Sequence, residues 1–157
     1  RGKMLELAVD RASGAFTNFL PLGGLPKVAA QLDGAPEGFE LLCRFFCLPG
    51  EREAVEPLAR FMFSSYITVP VYADFYRWLG YGERIEPMIA AWEAGDRQAA
   101  AAAAPWEAIE EMFIFGTPEQ MKERLAAFVE GGITLPILTP IVTPDKLGET
   151  IAALAPA

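Results

Sequence analysis

Histidine is absent from this 157-residue sequence. Its absence removes every Ser–His and Cys–His nucleophile, every imidazole-held metal and the commonest acid–base group near neutral pH. Basic residues are scarce: 13 Lys and Arg stand against 21 Asp and Glu, for a net charge of −8. Nucleic acid and anionic membrane surfaces are bound by basic patches, so neither is expected as a partner. Long apolar runs are lacking too. The most hydrophobic stretch, residues 132–142, is broken by Thr134, Pro136, Thr139 and Pro140, and nothing reaches the length of a bilayer span. There are only two cysteines, Cys43 and Cys47. On one strand they would lie on the same face about 13 Å apart, too far for a disulfide. Two reduced, buried thiols in a cytoplasmic protein are the simpler reading. Cys-x3-Cys without further Cys or His holds no metal. No Gly-x-Gly-x-x-Gly follows a strand and no Gly-Lys-Ser/Thr occurs, which leaves dinucleotide and P-loop folds unsupported.

What is present is a 52% hydrophobic composition, enough for a core, in a length that suits one domain or a large piece of one. The apolar periodicity predicts a helix over 3–11, a strand over 15–20 closed by Pro21 and Gly23-Gly24, and a helix over 26–32. A second strand over 39–48 is apolar on both faces except for Glu40 and Arg44, the pattern of a buried parallel strand. Residues 51–113 form a long helical region, punctuated by Pro57, Pro70, Pro87, Pro105, Gly80, Gly82 and Gly95, with four or five helices expected. Residues 113–115 are a short apolar piece before Gly116. Thr117, Pro118 and Gln120 then make a strong helix opening with a capping box. That helix runs to Val129, a third strand spans 133–142, and a last helix reaches Leu154. Alternating β and α units indicate a parallel sheet with crossover helices, either doubly wound or part of a (β/α)8 barrel. Because residue 1 is Arg and the text opens inside a helix start, the chain is expected to be the C-terminal part of a longer protein.

Five segments carry a family resemblance. They are Arg1-Gly2-Lys3-Met4-Leu5-Glu6-Leu7-Ala8 with Ser13-Gly14-Ala15, and Asn18-Phe19-Leu20-Pro21 at a strand end. Next come Ile67-Thr68-Val69-Pro70-Val71-Tyr72-Ala73-Asp74-Phe75 ahead of Trp78-Leu79-Gly80, then Trp92-Glu93-Ala94-Gly95-Asp96-Arg97. The last is Gly116-Thr117-Pro118-Glu119-Gln120 with Arg124-Leu125 and Gly131-Gly132-Ile133. In order, they resemble the C-terminal half of the luciferase-like flavin- and F420-dependent oxidoreductases. The resemblance implies α/β architecture: the C-terminal part of a (β/α)8 TIM barrel with parallel strands and a long helical insertion, about 51–113, between its last two strands. It implies one domain over 1–157. It also implies an enzyme that transfers hydride between F420, or alternatively FMN, and a small organic substrate, with or without oxygen. The alternatives are an FMN monooxygenase and a noncatalytic half-barrel. A homodimer is expected.

In such a barrel the site lies at the C-terminal ends of the strands, here 18–20, 47–50 and 139–143. Gly2 and Lys3 either hold a cofactor phosphate at a helix start or merely begin a helix. Asn18 either hydrogen-bonds the flavin edge or substrate, or caps a loop. Arg44 either binds an anionic group of the substrate or pairs with Glu40, the pair being the favoured reading. Tyr66, Tyr72 and Tyr76, with Phe75 and Trp78 and with Phe61 and Phe63 nearby, either wall a substrate pocket or pack helices together. Glu107, Glu110 and Glu111 are read as a solvated helix face. No catalytic residue is singled out.

Overall fold

The computed structural model describes residues 2–155. The chain divides into two compact units. One comprises Arg1–Glu51 with Met112–Ala157, and the other is Arg52–Glu111.

The first unit is built on a parallel sheet. Its strands are β1 (Gly14–Asn18), β2 (Glu40–Pro49), β3 (Ile114–Gly116) and β4 (Leu135–Pro140). All pairings are made with β2: Gly14 to Asn18 lie opposite Glu40 to Arg44, Ile114 to Gly116 opposite Cys47 to Pro49, and Leu135 to Pro140 opposite Leu42 to Cys47. Residues 42–44 of β2 thus have partners on both edges, so β1 and β4 flank it. Cys47 pairs with both Ile114 and Pro140. β3 must therefore lie opposite β4, continuing the edge of β2 beyond the end of β1. The sheet is three strand positions wide. The central place of β2 explains its doubly apolar sequence, since a parallel strand buried on both faces has no solvent side. The short apolar piece at 113–115, to which the sequence assigned no strand, is this third parallel partner. Three residues are too few for a periodicity to show. The strand expected over 133–142 is shorter, Leu135–Pro140, although Thr134 also reaches β2, its amide donating to the Leu41 carbonyl at 2.9 Å. The Thr134 hydroxyl accepts from the Leu41 amide at 2.9 Å.

Alternation along β2 separates two faces. Leu41, Cys43, Phe45 and Cys47 are buried, and Phe45 sits 4.5 Å, ring to ring, from Phe128 of helix α8 (Pro118–Glu130). Leu42, Arg44 and Phe46 face the other way, with Phe16 and Asn18 of β1 and Leu135 and Ile137 of β4 in register beside them. That second face is open: Phe16 is 59% exposed and Leu135 45%.

Helix α1 (Lys3–Arg11) packs on β1, which it enters through Ala12 and Ser13. Gly14 is required there, because a Cβ at that position would stand 2.6 Å from the Glu40 carbonyl oxygen. The helix expected over 26–32 is α-helical as α2 (Leu25–Ala29) and tightens into a 3-10 turn over Ala30–Leu32. Helix α8 opens with the capping box read from the sequence: Thr117 Oγ1 accepts from the Gln120 amide at 3.3 Å, and Gln120 Oε1 accepts from the Thr117 amide at 2.7 Å. Removing the hydroxyl by Thr117→Ala is expected to lower stability by about 1 kcal/mol in urea unfolding followed by circular dichroism. The unit ends in α9 (Leu147–Leu154), after a 3-10 turn over Pro144–Lys146.

The second unit is helical: α3 (Arg52–Ile67), α4 (Pro70–Leu79), α5 (Gly82–Glu93), α6 (Arg97–Ala103) and α7 (Trp106–Met112), whose last residue belongs to the first unit. Pro70 begins α4, and Gly80 ends it in the left-handed conformation (φ 102°) that glycine adopts without a Cβ penalty. Phe63, Ile67, Tyr76, Ile85 and Met88 form its core. Arg60 ties the region together, donating to Glu56 at 2.7 Å and to the Ala102 and Ala104 carbonyls, while its guanidinium stacks on Trp106.

Candidate active site at the C-terminal end of the sheet

The βα order of the first unit decides which end of the sheet gathers its turns. α1 runs back along β1, so its N-terminus at Gly2 and Lys3 lies toward the end where β1 finishes at Asn18. α8 begins immediately after β3, and the 3-10 turn Pro144–Lys146 follows β4. The helix starts and strand ends therefore share one rim, as in parallel α/β folds generally.

Short of that rim, where β1 ends halfway along β2, two candidate residues from different strands are brought together. Asn18 closes β1 directly opposite Arg44 of β2, and Arg44 Nε donates to Asn18 Oδ1 at 3.2 Å. The guanidinium also lies over the Phe46 ring at 4.8 Å and near the Phe19 ring at 5.7 Å. This corrects the favoured reading of Arg44. Its partner is Asn18, and Glu40 lies exposed at the far end of the strand. Four residues of extended chain separate Glu40 from Arg44 by about 13 Å, whereas the neighbouring strand in register is within about 5 Å.

Phe19 lies in the strand-end segment 18–20, but its backbone conformation was not legible in the sequence. It is 2% exposed and is the only non-glycine with positive φ (54°) among the described residues. A bulky side chain there costs about 1–3 kcal/mol and persists where packing over-determines it, which happens most often at functional sites. Here the packing is with Phe46, ring centroids 5.6 Å apart, and Phe46 in turn stacks on Phe113 at 5.9 Å. The only precursor in the sequence was the segment Asn18-Phe19-Leu20-Pro21, whose proline and turn residues mark a strand end without fixing φ.

Gly2 also has positive φ (46°) and precedes α1 with no side-chain cap. Its carbonyl accepts from Leu5 and Glu6. Lys3 is the first helical residue beside it. An uncapped helix start with glycine and lysine fits a phosphate, because first-turn amides lack intrahelical acceptors.

The two thiols stand on the covered face. Burial pushes Cys43 up to about 11 and Cys47 up to about 12, so both are neutral thiols at physiological pH and are poor nucleophiles. A cavity of about 170 Å³ lies beside the rim, lined by Pro49, Pro118, Met121, Lys146, Glu149 and Leu154 among others. It is smaller than the roughly 300–1,000 Å³ of most cofactor pockets. Among the described residues no group of three His, Cys, Asp or Glu is placed to hold a metal ion, and no helix is long and apolar enough to cross a membrane.

The three tyrosines all belong to the helical unit. Tyr66 is exposed in the last turn of α3, Tyr72 is half-buried in α4, and Tyr76 is wholly buried one turn further on. Tyr76 packs edge-on against Phe63 at 5.4 Å and Tyr81 at 5.6 Å. The acidic trio is divided in the same unit. Glu107 and Glu110 are exposed, as read from the sequence, but half-buried Glu111 accepts a hydrogen bond from the Tyr81 hydroxyl. Burial, followed by that carboxylate, holds the Tyr81 phenol above its ordinary range.

Two solved structures share the fold. One is the coenzyme F420 dependent tetrahydromethanopterin reductase from Methanopyrus kandleri: TM-score 0.67, 19% identity, with 96% of this chain and 46% of that one covered. The other is an F420-dependent secondary alcohol dehydrogenase in complex with an F420-acetone adduct: TM-score 0.61, 19% identity, with 98% and 46% covered. This chain thus spans about half the length of these structures. Its fold is that of the corresponding part of a TIM barrel, as the resemblance implied. No curated protein matches the sequence. The sequence does match the luciferase-like monooxygenases over residues 1–135, and the chain belongs to that family.

Proposed function

We propose that the 157 residues act as one domain, the C-terminal portion of a cytoplasmic F420-dependent oxidoreductase barrel with residues 51–113 as its helical insertion. In this reading it transfers hydride between F420 and a small organic substrate. Family membership and the two F420-dependent structural neighbours support an oxidoreductase. The observation that carries the assignment to this chain is the Asn18–Arg44 pair beside strained Phe19, on the open face of the sheet where β1 ends.

The cofactor, when bound, supplies the hydride chemistry. The chain's residues bind and orient. Gly2 and Lys3 hold a phosphate at the start of α1. Asn18 fixes the guanidinium of Arg44 and directs its own amide toward the ligand. Phe19 and Phe46 supply an apolar wall that excludes water beside it. In the helical unit Tyr76 keeps its helix packed. FMN is the alternative cofactor, as in a monooxygenase.

Adding F420 and FMN separately to the purified chain tests the reading. A saturable change in the F420 absorption spectrum, weakened about tenfold by Gly2→Val or Lys3→Ala, is the expected result. A folded chain that perturbs neither cofactor's spectrum overturns it.

A second reading is favoured by one observation, the open apolar face around Phe16 and Leu135. It is a noncatalytic half-barrel that homodimerises through that face. Sedimentation equilibrium decides: a dimer that Phe16→Lys dissociates, together with no cofactor binding, would favour it.

A further inference from the structure

We infer that Arg44 is a built receptor for an oxyanion, a carboxylate or phosphate carried by the substrate; this rests on the oxidoreductase reading and names the substrate's chemical class. Charge is nearly absent from the sheet. Across β1, β2, β3 and β4, Arg44 is the only cation, and Glu40, four residues earlier at the start of β2, is the only anion. In a chain of net charge −8, an isolated arginine amid Phe16, Leu42, Phe46 and Ile137 is not a solubility device.

Its geometry is fixed from two sides. Asn18 Oδ1 takes the Nε–H, and the plane of the guanidinium is set against the Phe46 ring. That leaves the terminal nitrogens, four N–H donors, with no hydrogen-bond or ion-pair partner among the described residues. A guanidinium held by its Nε edge presents its remaining N–H donors as a fork, the arrangement that matches two oxygens of a carboxylate or phosphate. Strained Phe19 adjoins this group, and its backbone follows directly from the asparagine that does the holding. Once the open face is covered, an unpaired guanidinium there would be costly, and an oxyanion ligand removes that cost.

The test uses the ¹⁵N-labelled chain. The Arg44 Nε–H resonance is identified by its loss in Arg44→Gln, and acetate and inorganic phosphate are titrated in separate arms against chloride at constant ionic strength. The expected result is a saturable shift of the Arg44 signal with a dissociation constant at least tenfold below that of exposed Arg84. Asn18→Ala should weaken it about fivefold, with thermal melting confirming that each variant is folded. An Arg44 signal that moves no more than that of Arg84 overturns the proposal. F420 is then titrated into wild type and Arg44→Gln. Equal affinities assign the anion to the substrate, whereas a loss above fivefold assigns it to the cofactor and overturns the substrate assignment. If neither protein binds F420, the oxidoreductase reading fails, while the acetate and phosphate shifts still report on the receptor separately.

Discussion

Raising the pH from 8 to 11 is expected to remove about 2–3 kcal/mol of stability for each of the two cysteines. An unperturbed thiol ionises near 9, whereas burial pushes Cys43 up to about 11 and Cys47 up to about 12 in the folded chain. Below pH 9 both states keep their protons and nothing is lost. Above pH 9 the unfolded chain releases protons that the folded chain still holds. Stability therefore falls with pH until the folded thiols ionise in turn, at about 1.4 kcal/mol per pH unit per group. Urea unfolding at pH 8, 9.5 and 11, compared with the Cys43→Ala/Cys47→Ala double variant, isolates the effect, because other groups titrate alike in both proteins. Parallel pH curves for the two would show that the thiols are not buried as described. At pH 8 the same burial should slow alkylation by iodoacetamide by about 100-fold relative to unfolded chain, read by mass spectrometry.

Phe45→Ala should cost about 3–5 kcal/mol, while Phe16→Ala should change stability by less than about 1 kcal/mol. The residue type and the sheet are the same, and the difference is the face. Phe45 is 1% exposed, its ring 4.5 Å from Phe128 of α8, and its removal leaves a cavity between the sheet and that helix. Phe16 is 59% exposed, so truncation takes away little that the fold had buried. Denaturant melts of both variants provide the measurement. A large loss for Phe16→Ala would mean that the open face is covered in solution, and a concentration-dependent melt would identify self-association as the cover.

The capping box at Thr117–Gln120 was legible because it depends on residues three apart in one chain segment. The same holds for the proline at the start of α4 and for the five helices between β2 and β3, whose breaks coincide with Pro and Gly, although Pro57 and Pro87, also read as punctuation, lie inside α3 and α5. The doubly apolar run of β2 announced a central parallel strand. By contrast, β3 is too short for any periodicity, and only its pairing with Cys47, Leu48 and Pro49 defines it. The partner of Arg44 was misread because a charge four residues away is visible in a sequence, whereas a neutral amide 26 positions earlier is not. Similarly, Tyr66, Tyr72 and Tyr76 look equivalent in the sequence, but only Tyr76 is turned fully into the helical core.

The sequence by itself determined the class of architecture and the excluded chemistry. Alternating β and α units, a strand apolar on both sides, and the lack of histidine and of phosphate-loop motifs are local or compositional properties. They hold however the chain is arranged in space. The tertiary structure alone decided that Asn18 and Arg44 meet, that Phe19 takes a strained backbone between aromatic neighbours, and that one face of the sheet is covered while the other is open. Those facts depend on strand register. A shift of one residue would turn Arg44 to the helix-covered side and Cys43 to the open one, and no short-range pattern in the chain encodes which register is adopted.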